Sequence, residues 1–260
     1  MNIPIFQIDA FTGKVFSGNP AAVCPLKGWL NEKLMQLIAR ENNLSETAFF
    51  VPEGDGFSLR WFTPLAEVDL CGHATLATAF VIFTEHDQGR QKVSFSSRSG
   101  LLSVERTGDM LSMDFPSQPP VTCVPPRELL EGLGKEPVQV LKSSDYFVVY
   151  NHEDDIRELS PRMDLLKMVD LRGVIVTAKG ISSDFVSRFF APGLGIDEDP
   201  VTGSAHCALT PYWSGRLGKK NLHALQLSKR GGELFCTQKG DRVIIAGHAV
   251  KYMEGTITIE

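Results

Sequence analysis

Short apolar runs punctuated by glycine, proline and asparagine fill most of this chain, and their spacing favours strands. Residues 3–11 predict an opening strand, and Gly18-Asn19-Pro20 predicts a turn before a second run at 21–24. Asn31 is placed to cap a helix that carries Leu34, Leu37 and Ile38 on one face and stops near Asn42-Asn43. Strand patterns follow at 93–96, 101–106 and 111–115, and resume beyond a proline-rich stretch (116–126), the best candidate for a linker, at 146–150, 173–177, 233–238, 242–246 and 255–259. One segment differs. From Ala74 the chain runs ATLATAFVIF, apolar on every helical face, so as a helix it must be covered all round. It is far shorter than the roughly 20 residues that span a bilayer, and a curved sheet wrapped around it is the economical cover. The mixture predicts an α+β fold with largely antiparallel sheet.

The chain also echoes itself. RWFTPLAEVD at 60–69 returns as RFFAPGLGID at 188–197, matching Arg60 with Arg188, Phe62 with Phe190, Pro64 with Pro192 and Asp69 with Asp197. After a three-residue insertion, Cys71-Gly72-His73-Ala74 is answered by Thr202-Gly203-Ser204-Ala205. Recurrence at about half the chain length predicts an internal duplication. The expected architecture is two similar domains, 1–117 and 118–260, each a barrel-like sheet around a central helix. The second helix, AHCALTPYW, contains Pro211, which should bend or end it.

At 260 residues, 43% of them hydrophobic and 22% charged, the chain has ample material for a buried core. A net charge of −5 and the lack of a basic run argue against a nucleic-acid partner. No apolar stretch suits a membrane span, and MNIPIFQIDAF lacks the basic start and apolar middle of a secretion signal. Five scattered cysteines without a CxxC pair read as reduced thiols of a cytoplasmic protein, and no Cys/His cluster has metal spacing. Phosphate-binding loops, dinucleotide fingerprints, GxSxG and HExxH are all missing, which removes several large enzyme classes.

Glu46 lies in LSETAFFV, where alternation puts it on the face of Leu44, Ala48 and Phe50. A carboxylate on an apolar face loses water, which should raise its pKa toward that of a general acid/base. The plainer alternative is a solvated strand start or a cap on backbone amides. Two glycine-led helix starts, at Gly72 and Gly203, would offer free amides to a small carboxylated molecule between the halves. Glycine before a helix equally serves a tight turn. His73 is either a second proton-transfer group, its pKa lowered by the helix terminus, or an ordinary hydrogen-bonded histidine. Asp199, before Pro200, is able to orient Glu46, His73 or a substrate group, or is simply a turn residue. Cys71 is a thiolate of lowered pKa at a helix start, or a small buried hydrophobe, and the second reading is preferred. Arg230-Gly231-Gly232 reads as a turn.

DAFTGKVFSGNPAAV (9–23), NLSETAFFV (43–51), RWFTPLAEVDLCGHATLATA (60–79), RFFAP (188–192), EDPVTGSAH (198–206) and QLSKRGGEL (226–234) together resemble the phenazine-biosynthesis-like family. Its eponymous enzyme isomerises trans-2,3-dihydro-3-hydroxyanthranilate. The resemblance covers nearly the whole chain and implies a diaminopimelate-epimerase-like fold with the site in the cleft between domains. In that fold the final strand can return to the first domain. The resemblance further implies a cytoplasmic homodimer that needs neither cofactor nor metal. By motif, Glu46 corresponds to the family's catalytic acid/base, and His73, Asp199 and Ser204 to its other polar site residues. Gly72 and Gly203 fall where backbone amides meet the substrate carboxylate.

Related epimerases and racemases use two cysteines, one at each helix start. Here Cys71 stands at one such place and Thr202 at the other. A threonine hydroxyl is too weak an acid to replace a thiol, which disfavours two-thiol stereoinversion. The expected function is therefore an isomerase in which Glu46 moves one proton within a small carboxylic acid. Two alternatives stay open: a racemase or epimerase pairing Cys71 with an unlike partner, and a non-catalytic homologue that binds a metabolite or a protein.

Overall fold

Parallel strand pairs cannot be closed by a tight turn and require a crossover, and this requirement organises the chain. The computed structural model describes residues 1–259. It forms two compact units: Met1–Asp114 with the chain from Ala246 onward, and Phe115–Ile245. The first unit contains β1 (Asn2–Ala10), β2 (Asn19–Pro25), α1 (Glu32–Asn42), β3 (Glu46–Glu53), β4 (Gly56–Phe62), β5 (Glu67–Val68), α2 (Gly72–Val81), β6 (Lys92–Ser97), β7 (Gly100–Thr107) and the start of β8 (Met110–Pro116). β2 and β3 are parallel, as are β4 and β6, while β1–β2, β3–β4 and β6–β7 are antiparallel. Thus α1 is the crossover between β2 and β3, and α2 the crossover between β4 and β6.

The second unit contains β9 (Val121–Thr122), α3 (Arg127–Leu133), β10 (Gln139–Lys142), β11 (Tyr146–Val149), α4 (Glu153–Glu158), α5 (Met163–Leu166), β12 (Val174–Lys179), β13 (Phe185–Phe190), α6 (His206–Leu217), β14 (Asn221–Gln226), β15 (Gly232–Lys239) and the start of β16 (Arg242–Gly247). From β10 through β15 the pairings run antiparallel, parallel, antiparallel, parallel, antiparallel. The order through β1, β2, β3, β4, β6 and β7 is the same, so the sequence echo is a duplication of topology. A last strand, β17 (Ala249–Thr258), pairs antiparallel with β1 in the first unit.

The apolar crossover α2 is buried from His73 through Ala79 and touches β1, β2, β3, β7 and β17, so the sheet curls around it. Its buried threonines are satisfied locally: Thr75 and Thr78 donate to the carbonyls of Cys71 and Ala74 at 2.6 and 2.7 Å. In α1 the Asn31 side chain accepts from the Lys33 amide at 2.9 Å, and Asn43 ends the helix in the left-handed region. The buried stripe of α1 is Met35, Ile38 and Ala39, while the expected Leu37 is exposed. The first turn also lies earlier than expected. Gly18 makes it at φ 67°, and Asn19 and Pro20 already belong to β2.

Pro211 does not end α6, which continues to Leu217. A helical proline leaves the carbonyl four residues back without its amide. Here that carbonyl, on Cys207, accepts instead from the Gln118 amide at 2.9 Å. The proline-rich stretch read as a linker therefore supplies the bond that lets α6 pass its proline. Among the described residues no helix is long and apolar enough to cross a membrane.

Candidate active site

Glu46 opens β3 opposite Ala21 of β2 and is buried, with Ala48 and Phe50, on the face turned toward α2. Leu44 does not share that face. It packs with Phe49 and Val51 against α1, because strand alternation begins only at Glu46. His73, in the first turn of α2, brings Nε2 to 3.0 Å from Glu46 Oε2. The two atoms are close but misaligned for a hydrogen bond, so both are buried with an open valence. Buried polar atoms are normally paired, and such open valences suit atoms that exchange a proton with a ligand. On the other side of the ring, Asn19 Nδ2 lies 3.2 Å and Cys71 Sγ 3.6 Å from Nδ1. In the neutral ring, with the Asn19 amide as donor, Nδ1 accepts and the ring proton sits on Nε2, toward Glu46.

Burial disfavours a charged His73, but its two acidic neighbours, Cys71 and Glu46, outweigh it and hold the pKa well above the usual imidazole value. This reverses the expectation from the helix terminus, whose half-charge is weaker than a carboxylate 3.0 Å away. The Cys71 thiol is itself pushed up by burial and by Glu46. It stays protonated rather than becoming the thiolate that a helix start favours. Glu46, Cys71 and His73 also offer metal-ligand atoms within 4.8 Å of one another. They fit an ion poorly, because His73 turns one nitrogen toward each of the other two and the thiol keeps its proton.

In the second unit the EDPVT turn is stapled from below. Thr202 Oγ1 donates to Asp199 Oδ2 at 2.5 Å, and the Thr202 amide donates to Gln226 Oε1 at 2.9 Å. Gln226 Nε2 in turn donates to the Asp199 carbonyl at 2.8 Å and to Thr202 Oγ1 at 3.2 Å. Thr202 is thus occupied in holding Asp199. The RGG segment is more than a turn: Gly231 makes the bend at φ 69°, and a Cβ on Gly232 would lie 2.2 Å from Val201 Cγ2. Gly203 and Ser204 begin the short 3₁₀ turn that leads into α6, and Ser204 Oγ accepts from Arg172 Nη2 at 3.1 Å.

An arginine fork stands before each helix start. Arg60 on β4 donates from Nε and Nη2 to the two oxygens of Glu67, both at 2.6 Å, and lies over Phe62. Arg188 on β13 grips Glu198 in the same way, at 2.7 and 3.0 Å, and lies over Phe190. Glu67 and Glu198 each stand four residues before an N-cap residue, Cys71 of α2 or Thr202 of the 3₁₀ turn that leads into α6. The structural echo therefore pairs Glu67 with Glu198. The sequence match of Asp69 with Asp197 had placed the insertion too late, since only the ion pair reveals which acid is equivalent.

His206, the first residue of α6, is buried, and Nδ1 donates to the Thr202 carbonyl at 2.9 Å, while Nε2 has no partner. Burial pushes its pKa down to about 4. The folded protein thus keeps His206 neutral where an unfolded histidine, with a pKa near about 6.5, takes up a proton. Stability should therefore fall as pH drops from about 6.5 to about 4, by on the order of 3 kcal/mol. Urea unfolding across that range should show the loss, and His206→Asn should flatten it. An unchanged acid limb in the variant would remove His206 as the cause.

Asn19 was hidden in a turn motif, and Gln226 lay unremarked at the start of QLSKRGGEL. Arg172 and its partner Asp145 carry no local signal, because only the fold brings them beside Ser204.

The model of the family described as phenazine biosynthesis-like protein matches residues 8–255. An uncharacterized isomerase of Pseudomonas aeruginosa is 53% identical over 257 residues, covering 99% of this chain and 99% of its own. One from Halalkalibacterium halodurans is 47% identical over 264 residues, covering 100% of each. The crystal structure of a phenazine biosynthesis protein of the PhzF family from Enterococcus faecalis is similar with a TM-score of 0.97 at 48% identity, over 100% of both chains.

Proposed function

Because the chain belongs to the phenazine biosynthesis-like protein family and is an isomerase like its named relatives, we propose that it shifts a proton and a double bond within a small carboxylated metabolite, with Glu46 as general acid/base. The observation that carries this reading is the buried Glu46–His73 pair, 3.0 Å apart, with an open valence on each facing atom. Glu46 takes the proton from an activated C–H and returns it at the conjugated position, so the double bond moves and the proton count is unchanged. A dry carboxylate held in place by β3 needs no reorganisation to do this. His73, which keeps its proton to higher pH than an ordinary imidazole, positions the substrate and assists relay to the enol or imine.

Asp199 is assigned, with His73, to position the substrate and assist proton relay. As the resemblance implied, the Gly72 and Gly203 amides meet the substrate carboxylate and Ser204 is a further polar site residue. Support for Asp199 comes from the Thr202 and Gln226 bonds that fix its carboxylate and backbone. Stereoinversion between two thiols has no such support, since Thr202 is bonded to Asp199. The substrate class is taken to be similar to dihydro-hydroxyanthranilate: a small cyclic or unsaturated carboxylic acid.

The test is deuterium exchange. The protein is incubated in D₂O with trans-2,3-dihydro-3-hydroxyanthranilate and a panel of small unsaturated acids, and NMR follows deuterium entering carbon. Exchange that survives Cys71→Ser and disappears in Glu46→Gln supports the reading. Exchange lost in Cys71→Ser and kept in Glu46→Gln overturns it in favour of a racemase, and no exchange with any compound favours a binding protein.

A further inference from the structure

Arg172 is a cation held rigidly but not used up. Asp145, 2% exposed, grips it from two sides, with Nε donating to Oδ1 at 2.9 Å and Nη2 to Oδ2 at 2.6 Å. The Phe189 ring lies under the guanidinium, 5.4 Å from its carbon. The remaining Nη2 hydrogen goes to Ser204 Oγ at 3.1 Å. Neither Nη1 hydrogen has a partner among the described residues, and the side chain keeps 39% of its surface in solvent.

Two consequences follow from donor and acceptor arithmetic. A guanidinium has no lone pair to offer, so Ser204 Oγ must be the acceptor in this contact. The Ser204 hydroxyl hydrogen therefore points away from Arg172 and is free to donate elsewhere. The Nη1 edge adds two planar N–H donors carrying positive charge, and Asp145 prevents the fork from swinging out of position. Two charged N–H groups and one hydroxyl match the two oxygens of a carboxylate, which arginine recognises better than lysine can.

We propose that Arg172, with Ser204 as its partner, recognises the substrate carboxylate in the second unit and sets the enzyme's preference for acids over neutral analogues. This rests on the reading above that the substrate is a small carboxylic acid. Asp145 is the positioning residue behind it.

The test uses the ¹⁵N-labelled full chain and a stable probe, 3-hydroxyanthranilate, against its neutral carboxamide. The Arg172 Nε–H and Ser204 amide resonances are followed during each titration. The acid should shift both signals saturably, and the amide should bind about 10–100-fold more weakly. Arg172→Gln should lose that same factor for the acid and no longer separate acid from amide, and Arg172→Lys should recover part of it. Equal binding of acid and amide by the wild type overturns the proposal without any variant, as does undiminished acid binding by Arg172→Gln or no binding at all. With a turned-over substrate, Arg172→Gln should raise KM by that factor and leave kcat little changed. Preference for the acid without deuterium exchange would sink the isomerase reading alone. Exchange with an unchanged KM in Arg172→Gln would sink this proposal alone.

Discussion

Replacing Glu46 with glutamine should slow turnover about 10²–10⁴-fold, the range that loss of a positioned proton-transfer group produces. The exchange keeps the size of the side chain and an oxygen near His73, so β3 and its pairing with β2 should be unaffected. What disappears is the negative charge and the basic oxygen. A second readout separates this from simple disruption. The His73 pKa is raised because Cys71 and the Glu46 carboxylate together outweigh burial, so in Glu46→Gln it should fall, read from the ring proton shifts. The sign also fixes a stability effect. A histidine raised on folding contributes below about pH 6.5, and the contribution is lost as pH rises through its folded pKa. That contribution should shrink in Glu46→Gln. Normal turnover by a variant with a lowered His73 pKa would show that Glu46 tunes the histidine and moves no substrate proton.

Glu198→Ala should cost about 3–5 kcal/mol of folding stability, because it leaves a largely buried guanidinium without its counter-charge. Arg188 is only 12% exposed and Glu198 22%. Arg188 also donates to the carbonyls of Ile156 and Leu159, at 3.1 and 2.8 Å. It is thus tied to the C-terminal end of α4 and has no easy route to solvent. The equivalent change in the first unit, Glu67→Ala, should cost less, since Arg60 keeps a second carboxylate, Glu32, at 2.7 Å. Urea denaturation of both variants at neutral pH measures the difference. A Glu198→Ala cost below about 1 kcal/mol would place the pair with ordinary surface ion pairs. The variant should also loosen Asp199, which neighbours Glu198 in the EDPVT turn.

Much of the fold was legible because it depends on local periodicity. The limits of α1 followed from Asn31 and Asn43, whose side-chain and backbone preferences act within a few residues. The covered helix followed from the absence of any polar face in ATLATAF. Pro211 misled because a local rule forbids what a distant amide permits: the Gln118 N–H that satisfies the Cys207 carbonyl is far away in sequence. Leu44 misled for a smaller reason, since alternation was extended past the residue where the strand begins.

The site divides in the same way. The sequence by itself determined that a carboxylate, Glu46, would sit on an apolar strand, that a glycine would open α2 and another the turn leading into α6, and that the chain would repeat one topology. Each of these depends on residue types and spacings within a short window, or on the likeness of one window to another. Only the tertiary structure decided the directions of the pKa shifts at His73 and Cys71, because these depend on charges brought within a few ångströms by the fold. It alone decided that Thr202 serves Asp199, that Glu67 and Glu198 are the equivalent acids, and that Arg172 reaches Ser204. Coulomb and hydrogen-bond energies fall steeply with distance. Sequence spacing does not measure that distance once strands from separate segments lie side by side.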